Sequence, residues 1–279
     1  MIEGARNIIS GQTNKTVESL KRTNRELKSI LEKLSNGRRI NRASDDASGL
    51  AVSEGFQSRI RGFKIATRNI EDALSALQTA DTVGKSVTEQ LQRQRELAIT
   101  ARQDTLSDRD REALNTEYQA ITEEINRTIS SARFNRQSVA DGRELGSGNA
   151  TVQTGPEQEN NLNLPQIDLL TPVGALDTTS LLTSEDAQVS LTTIDSIIEH
   201  ISNQASSVGA AFNSLLINRN TLEVAMVNTA AAQSIIEDQD MAEGIAKLVQ
   251  QSLLDEGSTA AFNRFQEINR NQILGFLQG

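Results

Sequence analysis

All three prolines of this 279-residue chain, Pro156, Pro165 and Pro172, fall inside one 17-residue window. Proline removes a backbone donor and clashes with the preceding helical turn, so the proline-free stretches 1–155 and 173–279 are open to long helices. Two such arms around one broken segment exclude an all-β sandwich and a repeating strand–helix chain, which need turn residues every few positions. Aromatic residues make up 3% of the chain and tryptophan is absent, so an elongated aliphatic core is expected. The fold class is therefore mainly α: a long antiparallel helical hairpin or coiled-coil bundle with a small β-hairpin region, its N- and C-terminal helices paired.

Apolar spacing supports this reading. Val17, Leu20, Leu27, Leu31 and Leu34 recur in steps that keep one helical face, with Asn24 on the same seam. That stripe is thin, and a helix of this kind is marginal without partners. Asn36-Gly37 signals a turn, and Ser44, Asp45 and Asp46 supply a capping hydroxyl and carboxylates for the next helix. From Phe63 a long seam runs through Ala66, Ile70, Ala73, Leu77, Ala80, Gly84, Val87, Leu91, Gln94 and Ala98, and only Gln94 breaks its apolar or small character. Ser107 to Asp110 reads as the cap of a shorter helix carrying Leu114, Tyr118, Ile121, Ile125 and Ile129 on one face.

Helical periodicity then disappears over 134–183, where Asp141-Gly142, Gly146-Ser147-Gly148 and Gly155-Pro156 mark turns. Residues 150–154 and 161–164 alternate as two short strands. A second long seam follows, Leu191, Ile194, Ile198, Ile201, Ala205, Val208, Phe212, Leu215, Arg219, Leu222 and Met226. After the acidic junction Glu237, Asp238 and Asp240, a last arm carries Ile245, Leu248, Phe262, Phe265 and Phe276, weakened midway at Asp255-Glu256-Gly257. The expected organisation is a terminal-helix domain of 1–43 and 237–279 with its connectors, and a helical rod of 44–236 that includes 134–183.

Several functions are excluded by composition. There is no cysteine for a zinc finger, thiol protease or disulfide scaffold. No run approaches the apolar length of a membrane span, and the N-terminus lacks the apolar region of a secretory signal. Residues 1–70 hold 14 Lys/Arg against 7 Asp/Glu, while residues 173–279 hold 4 against 13. The basic start has no aromatic before Phe56 to stack on bases, which argues against nucleic acid. A basic N-terminal arm lying beside an acidic C-terminal arm is the expectation instead. His200 has no serine or cysteine constellation, Gly146-Ser147-Gly148 lacks the lysine of a phosphate loop, and Glu237/Asp238/Asp240 reads as a junction cap rather than a cation site. No enzyme activity, cofactor or metal is expected.

The run from Leu34 to Ala51, with Leu34-Ser35-Asn36-Gly37, Arg39-Ile40-Asn41, Asp45-Asp46-Ala47 and Gly49-Leu50, resembles the signature of bacterial flagellins. The resemblance continues at Arg68-Asn69-Ile70-Glu71-Asp72, Gln78-Thr79-Ala80-Asp81, Leu91 to Ala98, Phe134-Asn135, and Ser234 to Glu243. It implies a minimal filament subunit with an inner terminal-helix domain and one outer helical domain. The subunit would polymerise into the flagellar filament for swimming, its terminal helices folding on assembly. The implied assembly seams are Leu20, Leu27, Leu31 and Leu34 on one arm and Ile245, Leu248, Phe262, Phe265 and Phe276 on the other. Implied partners are other copies of the chain, the flagellar type III export apparatus, a flagellin-specific chaperone at the C-terminal arm, the filament cap and hook-junction proteins. The implied location is extracellular, in the filament. The resemblance also implies a surface for a Toll-like receptor at Arg93 and Leu97, with Glu117 beside them, although Gln94 stands where that motif often has an apolar residue.

Two alternatives remain at this point. A hook–filament junction protein shares the terminal helices but tends to carry prolines where this chain has Ala43 and Ala47. A host-binding surface protein would bind ligand as a monomer.

Overall fold

The computed structural model describes residues 2–277, and the side chains of residues 14–268, 270 and 271. The order is α1 (Ile2–Asn36), α2 (Ala47–Ala101), α3 (Asp108–Ser131), β1 (Arg133–Phe134), β2 (Gln137–Ser138), β3 (Thr151–Gln153), β4 (Asn161–Asn163), α4 (Leu170–Val173), α5 (Ser184–Glu237) and α6 (Met241–Leu277). The chain divides into two compact units, Met1–Ser58 with Thr229–Gly279, and Arg59–Asn228.

The Arg59–Asn228 unit is built on the two long seams. Phe63, Ala66, Ile70, Ala73, Leu77, Ala80, Val87, Leu91 and Ala98 are all buried on α2. Ile194, Ile201, Val208, Leu215 and Leu222 meet the same core from α5, while Leu191, Ile198, Phe212 and Met226 pack at its edge. The two helices are antiparallel. Ser184 Oγ donates to Arg102 O at 3.2 Å, Arg95 pairs with Asp195 at 2.7 Å, and Gly84 faces Ile201. Alanines at 66, 73 and 80 keep the facing surface low, so neighbouring side chains enter between them. Each enclosed Leu or Ile contributes about 1.5–3 kcal/mol of burial free energy.

Helix α3 begins with a capping box: Ser107 Oγ accepts from Asp110 N at 3.3 Å, and Asp110 Oδ2 accepts from Ser107 N at 3.2 Å. The Ser107 hydroxyl and N–H together hold the Asp110 carboxyl below its ordinary pKa. The inner face of α3 carries Tyr118, Ile125 and Ile129, and three side chains stitch it to the segment before α5. Tyr118 Oη meets Thr179 Oγ1 at 2.7 Å, Gln119 Nε2 donates to Thr179 O at 2.9 Å, and Leu181 N donates to Asn115 Oδ1 at 2.8 Å.

The hairpin expected within 150–164 forms as β3 and β4, antiparallel, with Val152 opposite Leu162. A second hairpin, β1–β2, was not anticipated. Its turn residues Asn135 and Arg136 both have positive φ, 48° and 68°. Two left-handed residues in a two-residue loop match the twist of the flanking strands, and asparagine tolerates that conformation better than most. Around these hairpins the aperiodic segment also holds the single-turn helix α4 and short 3-10 turns at Glu144–Gly146 and Gly174–Thr178.

In the Met1–Ser58 and Thr229–Gly279 unit, α1 packs along α6. A side chain at Gly244 would come within 2.6 Å of Leu34 Cδ2, so glycine leaves room for Leu34 of α1 to pack against α6 here. Deeper along it, Gln251 Nε2 donates to Thr23 O at 3.3 Å and to Glu26 Oε2 at 2.9 Å, with Thr23 and Gln251 both buried. The arms therefore meet, but not through opposite charges: among the described residues no ion pair joins α1 to α6. Among the described side chains, Lys15, Lys21, Arg22, Arg25 and Lys28 of α1 are exposed, while half-buried Lys33 pairs with Asp45 rather than with α6. Helix α6 runs unbroken through Asp255-Glu256-Gly257, because one glycine costs only about 1 kcal/mol relative to alanine. Ile40 is the only apolar side chain fully enclosed among the described residues of this unit.

Candidate functional site

The joint between the terminal helices and the long helices is held by a dense set of hydrogen bonds. Helix α1 ends at Asn36, Gly37 turns the chain at φ 67°, and Arg38 forms a bridge with Asp238. Arg39 N donates to Glu237 O at 2.7 Å and Gln239 N to Gly37 O at 2.9 Å, so the two connectors pair like a miniature sheet. Arg39 Nη2 also donates to Ile236 O at 2.6 Å, covering a carbonyl that the end of α5 leaves unpaired. Asp46 accepts from Gly49 N at 2.9 Å and from Ser48 Oγ at 2.8 Å, so this carboxylate, rather than the expected Ser44 hydroxyl, caps α2, which begins at Ala47. The Gly49 N–H is the main cause of its depressed pKa. A side chain at Gly49 would strike Asp46 Oδ2 and the buried Ile40 Cδ1 at 2.5 and 2.7 Å, so this cap and this core residue require glycine. Asp45 accepts from Asn41 N and Arg42 N and lies 3.6 Å from Lys33. Burial works against its charge, but those donors outweigh it and lower its pKa.

Glu237 lies at the centre. Its Oε2 accepts from Ser53 Oγ at 2.5 Å and Gln233 Nε2 at 2.8 Å, and its Oε1 pairs with Arg38 at 2.8 Å. The Ser53 hydroxyl first, then Gln233 and Arg38, hold its carboxyl below the ordinary glutamate pKa. With Asp238 accepting from Ser234 Oγ at 2.5 Å and Asp240 Oδ1 capping α6 through Ala242 N and Glu243 N, the acidic junction is occupied by its own donors. Among the described residues no group of three His, Cys, Asp or Glu has the arrangement of a metal site.

Several faces of the helices are apolar and uncovered. On α6, Ile245 is 51% exposed, Val249 54% and Leu253 64%. On α5, Ile217, Val224 and Val227 are each at least 60% exposed. Of the expected seam residues, Leu20, Leu27, Leu34, Leu248, Phe262 and Phe265 are half-buried, Leu31 and Ile245 face outward, and Phe276 lies outside the residues whose side chains are described. Monomeric soluble proteins seldom leave stripes of this kind uncovered; they mark surfaces that bind other proteins. No helix among the described residues is long and apolar enough to cross a membrane.

Arg93 and Glu117 come together on the surface. Arg93 Nη2 reaches Glu117 Oε1 at 2.7 Å and Nη1 reaches Glu96 Oε2 at 3.1 Å. The Glu117 carboxylate is the main cause of the raised Arg93 pKa. Leu97 does not join them, since it is buried in the core at 4% exposure. Gln94 is also enclosed, donating to Thr122 Oγ1 at 2.7 Å and Tyr118 O at 3.1 Å, while its Oε1 has no partner. His200 is exposed and faces the amide of Gln204 at 2.7 Å.

Two structural residues escaped sequence reasoning. Arg111 is buried and donates to Ala101 O, Gln103 O and Leu106 O at 3.0, 2.9 and 3.2 Å, gathering the carbonyls at the end of α2 into one guanidinium fork. Gln204 pairs with both backbone groups of Asp168, so a side-chain amide holds the loop as a strand neighbour would. Neither leaves a mark in apolar periodicity, the signal that revealed the helices.

Comparison with known proteins matches this architecture at both ends. The bacterial flagellin N-terminal helical region matches residues 9–145 and the C-terminal helical region residues 191–277. The N-terminal likeness thus begins well before the Leu34 motif. A flagellin of Halalkalibacterium halodurans is 36% identical, covering 82% of this chain and 84% of that protein. The flagellar filament 31.3 kDa core protein of Treponema maltophilum is 33% identical, covering 89% of this chain and 91% of that one. A crystal structure of Bacillus cereus flagellin superimposes with a TM-score of 0.51 at 28% identity, over 60% of this chain and 94% of that one. The hook–filament junction reading is not favoured by these matches. With both terminal regions matched and its relatives aligned over most of its length, the chain belongs to the bacterial flagellin family and is a structural subunit of the flagellar filament.

Proposed function

We propose that this is a minimal subunit whose inner domain, residues 1–43 and 237–279 with their connectors, completes its packing only against neighbouring copies. Residues 44–236 then serve as the outer rod. The observation that carries this is the poverty of the terminal unit's own core: Ile40 alone is enclosed among its described apolar side chains, while Leu31, Ile245, Val249 and Leu253 face outward. Helices with so little apolar burial are marginal in isolation, and neighbouring copies supply the missing surface. The same marginal arms suit transit through the flagellar type III export apparatus, with a chaperone shielding the C-terminal arm, followed by folding at the filament tip beside cap and hook-junction proteins. The lack of cysteine is compatible with an extracellular location, where thiols would oxidise. The role is structural and not catalytic, and no residue is assigned to chemistry.

Electron microscopy of the purified full chain and of a chain lacking residues 1–35 and 245–279 tests the proposal. Tubes are expected from the first only; tubes from the truncation, or none from the full chain, refute it. For the Toll-like receptor surface, the supported contacts are Arg93 and Glu117, which would exchange their mutual ion pair for receptor groups, whereas enclosed Leu97 would act through packing. Receptor binding unchanged by Arg93→Ala and Glu117→Ala together would remove that assignment.

A further inference from the structure

The Arg59–Asn228 unit carries two uncovered stripes of opposite character. On α2, Lys64, Ile65 and Arg68 are spaced to share one helical face and are all exposed, Ile65 at 53%. Lys64 and Arg68 make no ion pair among the described residues. At the start of α5, Glu185 and Val189 are exposed on the helix and Leu182 is exposed in the bend just before it, a surface of opposite charge. Leu182 is 49% and Val189 60% exposed, and neither Glu185 nor the adjacent Asp186 makes an ion pair among the described residues.

The stripes lie far apart within the unit. The start of α5 meets the end of α2, where Ser184 touches Arg102. Between Ile65 and the end of α2 beside Arg102 the helix advances about 55 Å at 1.5 Å per residue. They therefore have no means of meeting within one copy.

We propose that these stripes dock on each other between successive copies, the Lys64/Ile65/Arg68 face of one chain against the Leu182/Glu185/Val189 face of the next. The proposal rests on the filament-subunit reading and identifies one of its contacts. The first stripe sets an apolar residue between two cations and the second sets a carboxylate between two apolar residues, so pairing buries Ile65 against Leu182 and Val189 while the cations meet carboxylates. Such complementarity fixes partner and register more than it adds raw affinity. Two different patches at opposite ends of one unit make a heterologous contact. When its rotation does not close a ring, each copy leaves the next site open and the assembly grows as a filament. Two identical faces would form a closed dimer and stop.

The test uses full-length chains with reversed charges. One variant carries Lys64→Glu and Arg68→Glu; the other carries Glu185→Lys and Asp186→Lys. The first has acidic stripes at both ends and the second basic stripes at both ends. Each alone is expected to need a critical concentration for polymerisation raised about tenfold or more, from lost pairs and like-charge contacts. Mixed in equal amounts they are expected to polymerise near the wild-type concentration, because acidic and basic ends then alternate. Wild-type growth should also slow as ionic strength rises. Recovery on mixing also shows that both variants fold. Normal polymerisation of either variant alone, or no recovery on mixing, overturns the docking while leaving the family reading intact. Failure of the wild-type chain to polymerise overturns both.

Discussion

Glu237 offers the sharpest test of the joint. Glu237→Leu keeps an apolar volume but leaves Ser53 Oγ and Gln233 Nε2 facing nothing at a site only 7% exposed. Hydrogen bonds to a charged acceptor are worth roughly 1.5–3 kcal/mol each, so two such losses amount to about 3–6 kcal/mol. Glu237→Gln is milder. Its carbonyl can replace Oε2 for Ser53 and Gln233, which turns the amide NH2 toward Arg38. Arg38 is 53% exposed and relaxes into water, so that change costs about 1–2 kcal/mol. The native carboxyl has a depressed pKa. Its stabilisation is therefore fully present above the unfolded-chain value of about 4.3 and is lost as pH falls through the lower folded-state value. The assay is hydrogen exchange at the amides of Arg39 and Gln239, which bond Glu237 O and Gly37 O across the joint. Each 1.4 kcal/mol lost should speed exchange about tenfold. The gap between wild type and Glu237→Gln should be wide near pH 7 and close as the carboxylate protonates. An equal gap at about pH 7 and about pH 3 would refute the charge-based account.

Other positions give independent checks. Arg111→Met, which frees three carbonyls around the end of α2, should lower stability by about 3 kcal/mol in thermal unfolding followed by circular dichroism, with Arg111→Lys recovering only part because it has no fork. Gly146→Ala should destabilise by about 1–3 kcal/mol, since its side chain would meet Ile167 O at 2.6 Å; an unchanged melting curve would show that the loop yields freely. Gln94→Leu should be neutral or stabilising by about 1 kcal/mol, because it removes a buried carbonyl oxygen with no partner. A loss above about 2 kcal/mol there would mean that its bonds to Thr122 and Tyr118 matter more than the orphaned oxygen.

The long helices and their buried faces were legible in the sequence because a spacing near 3.6 residues records which side turns inward. Phe63 to Ala98 and most of Leu191 to Met226 meet the core where that spacing puts them, the exceptions being Ala205, which is exposed, and Arg219, which is half-buried beside the core. The small hairpin was legible from alternation between turn residues. The β1–β2 turn was not, since Asn135-Arg136 lacks the glycine that usually announces two left-handed residues. Leu97 lies one helical turn from Arg93, yet the packing of α2 encloses Leu97 at 4% exposure and leaves Arg93 at the surface, a difference that spacing alone does not reveal.

What the sequence determined by itself is local: where helices start, which faces are apolar, and where the chain must turn. These follow from backbone sterics, capping groups and periodicity, all of which act within a few residues. Tertiary structure alone decided what meets across long separations. Glu237 reaches Ser53 across a sequence separation of 184, and Gln251 reaches Thr23 across 228. It also decided that, among the described residues, the terminal arms pair by an apolar seam and a buried glutamine, with no ion pair between them. Water screens exposed charges on flexible side chains, but it does not replace the close packing that Gly244 opens to Leu34.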